Sequence, residues 1–174
     1  VTASASIFVP KPFTPFQWAP QLREKDVMER IYTIKDSIKS KAISFNYHAS
    51  KVSFLEAVFA RGDRRVCDVL VEAFKNGAKF DGWSEYFNYE IWMDAFKKCG
   101  VDPEFYAYRE RSYDEILPWD FINIGVNKEF LIRENDKAKE GIITPDCRLG
   151  CTNCGVNVNL EGKCFEGALS NKVQ

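Results

Sequence analysis

The sequence predicts a helix-rich α+β fold, and three observations predict it. Residues 2–9 ("TASASIFV") and 42–48 ("AISFNYH") alternate apolar with small or polar side chains, which is the period of a strand. Several longer stretches between residues 20 and 140 space their apolar side chains three and four apart, the period of a helix with one buried face. Residues 144–174 follow neither period and are rich in Gly, Asn and Cys.

The first strand runs into Pro10, Pro12 and Pro15, which forbid a helix and make a stiff loop. From Pro20 to about Lys41 the apolar positions Val27, Ile31, Ile34 and Ile38, with Met28 alongside, predict a helix with one stripe. After the second strand, "SFLE" at 53–56 has the form of a capping box, in which Ser53 caps the helix and Glu56 reaches back to it. That helix is expected to stop at Gly62. Asp63 is the expected cap of the next helix, whose face is Val66, Val69, Leu70, Ala73 and Phe74 and whose end is Gly77. A further helix is expected from about Ser84 to Cys99, with Phe87, Ile91, Ala95 and Cys99 on one face and Gly100 as its stop. "DEILPWDFINIG" reads as a loop with a short strand in it, and Asn127 opens a last helix to about Glu140, ended by Gly141. The expected divisions are residues 1–48, strand–helix–strand; 49–143, a helical region; and 144–174, a Cys-rich tail.

Composition narrows the function classes. The 174 residues are 45% hydrophobic and 28% charged, a soluble balance with a chain long enough for a real core. No stretch approaches the ~20 apolar residues of a membrane span, so a membrane partner is not expected. The net charge is −1 and the isoelectric point about 6.0, so a general basic coat for nucleic acid is missing. Six Cys without a secretory leader predict the reducing cytoplasm, and metal or free thiols in preference to disulfides. The chain opens on a strand-like segment with no initiator Met, which suggests a piece of a longer or processed protein.

The tail carries the strongest chemical signal. Cys147, Cys151 and Cys154 form a C-x₃-C-x₂-C array, and Cys164 follows. A segment this poor in large apolar side chains cannot fold by burial alone. A structural zinc ion supplies roughly 10–16 kcal/mol in small peptides. "CTNCG" resembles a zinc knuckle: two thiolates two residues apart wrap the ion, and Gly155 turns the backbone behind them with positive φ. Cys164 would complete a four-thiolate tetrahedron, with Asp146 and His48 as alternative fourth ligands. Such a site favours Zn²⁺, with an iron–sulfur cluster as the alternative. Cys67 and Cys99 lie within helices, and Cys99 on an apolar stripe reads as core. The same spacing occurs in the cluster motif of radical S-adenosylmethionine (SAM) enzymes. That motif follows the first strand of a βα barrel, and only 20 residues follow Cys154, too few to build one.

Other residues carry weaker signals. Arg61, Arg64 and Arg65 surround a helix start, where cations are mildly unfavourable and an anion such as an RNA phosphate would offset them. Ordinary salt bridges to Glu56 or Asp68 are the plainer reading. His48, the single His, follows a strand and is either a hydrogen-bonded structural residue or an acid–base group. Trp18, among prolines, is the tryptophan expected at the surface and able to stack on a base, whereas Trp92 falls at core spacing.

Five longer words carry a family resemblance: "SIFVPKPFTPFQWAPQ" (6–21), "SFLEAVFARGDRR" (53–65), "FDGWSEYF" (80–87), "LPWDFINIGVNKEFLIRE" (117–134) and "TPDCRLGCTNCGVN" (144–157). Together they resemble the C-terminal part of radical SAM proteins that carry a cobalamin-binding-type domain and have no characterised function. The resemblance implies that residues 1–9 are a closing strand of a βα barrel, followed by a helical accessory region and the metal-binding Cys tail. It places the barrel, its own [4Fe–4S] cluster with SAM, and the cobalamin-type domain upstream, as partners in the same protein. Members are similar in overall plan to RNA-modifying methylthiotransferases and methyltransferases, while the resemblance does not settle the substrate. The expectation is an enzyme that acts on RNA, with Arg61, Arg64, Arg65, His48 and Trp18, read from their own chemistry, as candidate substrate contacts, and with no catalytic residue in this chain, which by itself is expected to be inactive. The alternative is a non-catalytic zinc-knuckle module that binds RNA or a ribosomal partner.

Overall fold

The computed structural model describes residues 1–159. It is helix-rich α+β, in the order β1 (Thr2–Ala5), α1 (Glu24–Ser37), β2 (Ser44–Tyr47), α2 (Ser50–Arg61), α3 (Val66–Lys75), α4 (Tyr89–Lys98), α5 (Pro103–Ala107), α6 (Lys128–Lys139) and α7 (Val156–Asn159). The chain divides into two compact units. Unit 1 is Val1–Lys11 with Ala19–Arg111, and unit 2 is Pro12–Trp18 with the residues from Ser112 on. Among the described residues no helix is long and apolar enough to cross a membrane.

Unit 1 begins as a βαβ unit. β1 and β2 pair in parallel, from Thr2 opposite Ser44 to Ala5 opposite Tyr47, and α1 makes the crossover that a parallel pair requires. α1 turns Val27 and Ile31 inward, as the spacing predicts. The main core follows: Phe54, Leu55, Ala57 and Val58 of α2 meet Val66, Val69 and Ala73 of α3, Trp92, Ala95 and Phe96 of α4, and Tyr106 and Ala107 of α5.

Several boundaries differ from expectation for identifiable reasons. α2 starts at Ser50, not Ser53, and has no capping side chain. Ser53 is buried inside it, and its carbonyl accepts from Gln21 Nε2 at 3.0 Å. The helix does end before Gly62, but that glycine is needed for closeness and not for a left-handed turn: a Cβ there would lie 2.7 Å from Val66 Cγ2 and 2.9 Å from the Val58 carbonyl oxygen. α4 starts at Tyr89 because Asn88 caps it, accepting from the Glu90 N–H at 3.1 Å. Residues 81–86 form turns instead of the helix start expected at Ser84. α5, not anticipated, has Asp102 accepting from the Glu104 N–H at 2.9 Å and Pro103 in its first turn.

In unit 2, Trp18, Leu117, Trp119 and Leu131 make a small core, with Phe13, Tyr113, Val126, Phe130 and Ile132 against it. Trp18 is therefore not a surface residue: it is 2% exposed, edge-on to Tyr113 at 4.9 Å. The prolines make the segment stiff, and stiffness lets it pack as a wedge. Gln17 Oε1 joins the two parts of this unit, accepting from Trp119 Nε1 at 2.8 Å and from the Phe13 N–H at 3.0 Å. The short strand expected around Leu117–Gly125 is a series of turns, with Asp120 Oδ2 accepting from the Leu117 N–H at 2.9 Å. α6 matches the expected helix to within a residue at each end.

Candidate metal centre

The C-x-x-C-G half of the Cys array is an ordered turn docked on the start of α6. Cys151 Sγ accepts a hydrogen bond from the Asn153 N–H at 3.4 Å and lies 3.7 Å from Asn153 Oδ1; N–H contacts to sulfur of the first kind recur around metal-bound cysteines. Asn153 has φ +55° and Gly155 φ +97°, so the backbone turns through the left-handed region at both. Gly155 is required twice over. Its φ suits only glycine, and an added Cβ would lie 2.5 Å from Asn127 Cγ and Nδ2.

Three residues hold this turn. The Asn127 N–H donates to the Cys154 carbonyl at 2.8 Å. Arg133 Nη2 donates to the Thr152 carbonyl at 2.9 Å. Asn159, whose N–H donates to the Gly155 carbonyl at 2.9 Å, reaches back with Nδ2 to Asn127 Oδ1 at 2.6 Å and to the Gly125 carbonyl at 3.0 Å. The sequence reading assigned Asn127 only a helix start and missed Arg133 and Asn159. The asparagines of "CGVNVN", directly after the second thiolate, were the available signal.

Cys147 sits in a separate tight turn. Asp146 closes it by accepting from the Arg148 N–H at 2.9 Å and from its guanidinium, Nε to Oδ1 at 3.0 Å and Nη2 to Oδ2 at 2.6 Å. That guanidinium holds the Asp146 carboxyl below the usual carboxylate range, and it occupies the group named as an alternative ligand. Cys147 and Cys151 are exposed and Cys154 half-buried, all as free thiols. Among the described residues no three of His, Cys, Asp and Glu gather into a group able to hold a metal ion. Cys164 lies outside the described residues. The donor chemistry, two thiols on one turn with an N–H aimed at one sulfur, fits a thiophilic ion. Cys67 is exposed on α3, and Cys99 is half-buried at the end of α4 against the main core.

The candidate substrate contacts do not form one cluster. Arg61 is fully buried, donating from Nη1 to the Ala107 carbonyl at 2.9 Å and from Nη2 to the Arg109 carbonyl at 2.8 Å. It is a cross-brace of unit 1. Arg65 forks onto Asp63, with Nε to Oδ1 at 3.0 Å and Nη2 to Oδ2 at 2.5 Å. With the Tyr106 hydroxyl also donating to Asp63 at 3.0 Å, this brings the Asp63 carboxyl down to about 2, against the burial that opposes it. Arg64 is exposed and has no ion pair among the described residues. His48 is exposed just past β2, its N–H directed at the Ala5 carbonyl at 3.4 Å. Comparison with family models, curated proteins and solved structures finds no match to the chain.

Proposed function

We propose that this chain is the C-terminal part of a cytoplasmic radical SAM enzyme that acts on RNA, and that its Cys turn holds a structural metal, zinc in preference to an iron–sulfur cluster. The observation that carries the reading is the parallel pair β1–β2. Parallel sheets are normally buried on both faces and contain more strands, yet here every strand residue is exposed or half-buried and the described sheet has two strands. Beside it Phe8, Leu22 and Ile34 are exposed along an apolar groove of about 240 Å³. Further strands and helices of a βα barrel would pair with those edges and cover that groove. The five sequence words support the same assignment.

On this reading the SAM chemistry belongs to the upstream barrel. The residues here close it and present Arg64 and His48 to substrate, while Cys151 and Cys154 supply the first two thiolates to the ion and Cys147 and Cys164 are the candidates to complete its shell. The test is anaerobic assay of the full-length protein beside this chain, with metal content measured in both. The expected result is SAM cleavage by the full-length protein only, and stoichiometric zinc in this chain that is lost in Cys151→Ser. A full-length protein that binds RNA in a salt-dependent manner through Arg64 but leaves SAM intact would identify a binding module instead.

A further inference from the structure

Unit 2 contains a cavity of about 380 Å³ at the start of α6, bordered by Phe13, Gln17, Asn123, Asn127, Lys128 and Leu131 among others. This size is in the range of small-molecule sites. The hydrogen-bonding state of its polar walls gives it a direction. Gln17 Oε1 already accepts from Phe13 and Trp119. Asn123 Oδ1 accepts from the Gly125 N–H at 2.8 Å, and Asn127 Oδ1 accepts from Asn159. With their amide oxygens engaged internally, Gln17 and Asn123 have their NH₂ groups left as donors, whereas Asn127 Nδ2 packs against Gly155.

Gln17 is the decisive group. It is 3% exposed and borders the cavity, and no described acceptor meets its Nε2. The other donors agree in sign. α6 spans 12 residues and has no side-chain cap, so the first N–H groups of its positive end are open beside Lys128. Lys128 Nζ lies 3.7 Å from Asp120 Oδ2, which also borders the cavity and accepts from the Leu117 N–H, and 3.4 Å from the Glu115 carbonyl, so this pair offsets the carboxylate and leaves the helix start and the amides to set the sign. Phe13, Val126 and Leu131 supply apolar wall between the donors.

The geometry points to a binding site for a small organic oxyanion, a carboxylate or phosphate carried on a compact apolar group. This goes beyond the function proposed above and does not depend on a metal. Donors that converge from two side-chain amides and a helix start select an acceptor-rich anion and disfavour a neutral alcohol.

The test is titration of the full 174-residue chain with phenyl phosphate, phenylacetate and, as the uncharged control, benzyl alcohol. Nuclear magnetic resonance follows the Gln17 side-chain amide and the Lys128 backbone amide. Saturable shifts of both with at least one anion, and none with benzyl alcohol, are expected, and the two anion arms tell phosphate from carboxylate. Gln17→Glu replaces the buried donor by an acceptor of the same shape and weakens binding about tenfold or more. Asn123→Asp, at an exposed turn, weakens it in the same direction and decides the matter if Gln17→Glu does not fold. Absence of shifts with either anion, equal binding of benzyl alcohol, or wild-type affinity in the folded variants would overturn the assignment.

Discussion

Between Phe54 and Ala107, unit 1 excludes water with apolar side chains, whereas between Cys151 and Asn159, unit 2 holds its chain almost wholly by hydrogen bonds. In the first region each large side chain contributes about 1.5–3 kcal/mol through burial. Arg61, fully buried, is tolerated there because backbone carbonyls of α5 and the following residues accept from it. In the second, each bond contributes only about 0.5–1.5 kcal/mol net, and the turn stays near water. The difference shows which region can stand alone. The core of unit 1 is stabilised by its own sequence, while the Cys turn depends on α6 and, on the proposed reading, on an ion.

Four perturbations break or sharpen that contrast. The largest is Phe96→Ala in the main core, where Phe96 is 1% exposed. It is expected to cost about 3–5 kcal/mol in denaturant unfolding, a loss that added zinc does not recover. Next, zinc at a hundredfold excess over its dissociation constant stabilises the region that binds it by about 2.7 kcal/mol. Hydrogen exchange should slow at Asn153–Asn159 and the start of α6 but not in α2–α4. Exchange unchanged at the Cys turn would remove the ion from the account. Third, Gly155→Ala forces an alanine into φ +97° and against Asn127, at a cost of about 1–3 kcal/mol confined to the turn. Pairing it with Asn127→Ala relieves the collision but not the backbone strain, so the double variant recovers part of the loss. Equal exchange rates in wild type and Gly155→Ala would show that the turn is not held as described.

The smallest effect is an acid one at the edge of unit 1. Arg65 and Tyr106 bring the Asp63 carboxyl from its ordinary value of 3.8 to about 2. A carboxyl depressed in the fold stabilises it fully above its ordinary value, and that share is lost as pH falls through the folded one. The stability difference between wild type and Asp63→Asn should be flat above about pH 4 and should shrink toward pH 2. Because Arg65 is exposed, the difference belongs with surface pairs and is the least of the four.

Legibility followed the range of the interactions. α6 was readable to within a residue because its residue spacing and its Gly141 stop, at φ +71°, act over neighbours in sequence. The strands were readable from their alternation, though each proved shorter than expected. The Ser53 capping box failed because α2 already begins at Ser50, so the Ser53 N–H bonds the Ala49 carbonyl and the buried Ser53 is interior, its carbonyl met by Gln21, 32 residues away. For the candidate site, the Cys spacing and the glycine turn were visible. The contacts that Asn127, Arg133 and Asn159 make with that turn were not, since each joins segments 19 to 34 residues apart.

The sequence by itself determined the class of the fold, most of its helices, the parallel-compatible strand pair with a helix between, and the positive-φ turn at Gly155. Each of these depends on periodicity, caps and turns that act over a few residues. Tertiary structure alone decided that Trp18 is core, that Arg61 is a buried brace to Ala107, 46 residues on, and that Gln17 spends its oxygen on Trp119, 102 residues on. The physical reason is that burial and hydrogen-bond saturation depend on what arrives from distant parts of the chain, and local sequence carries no record of that arrival.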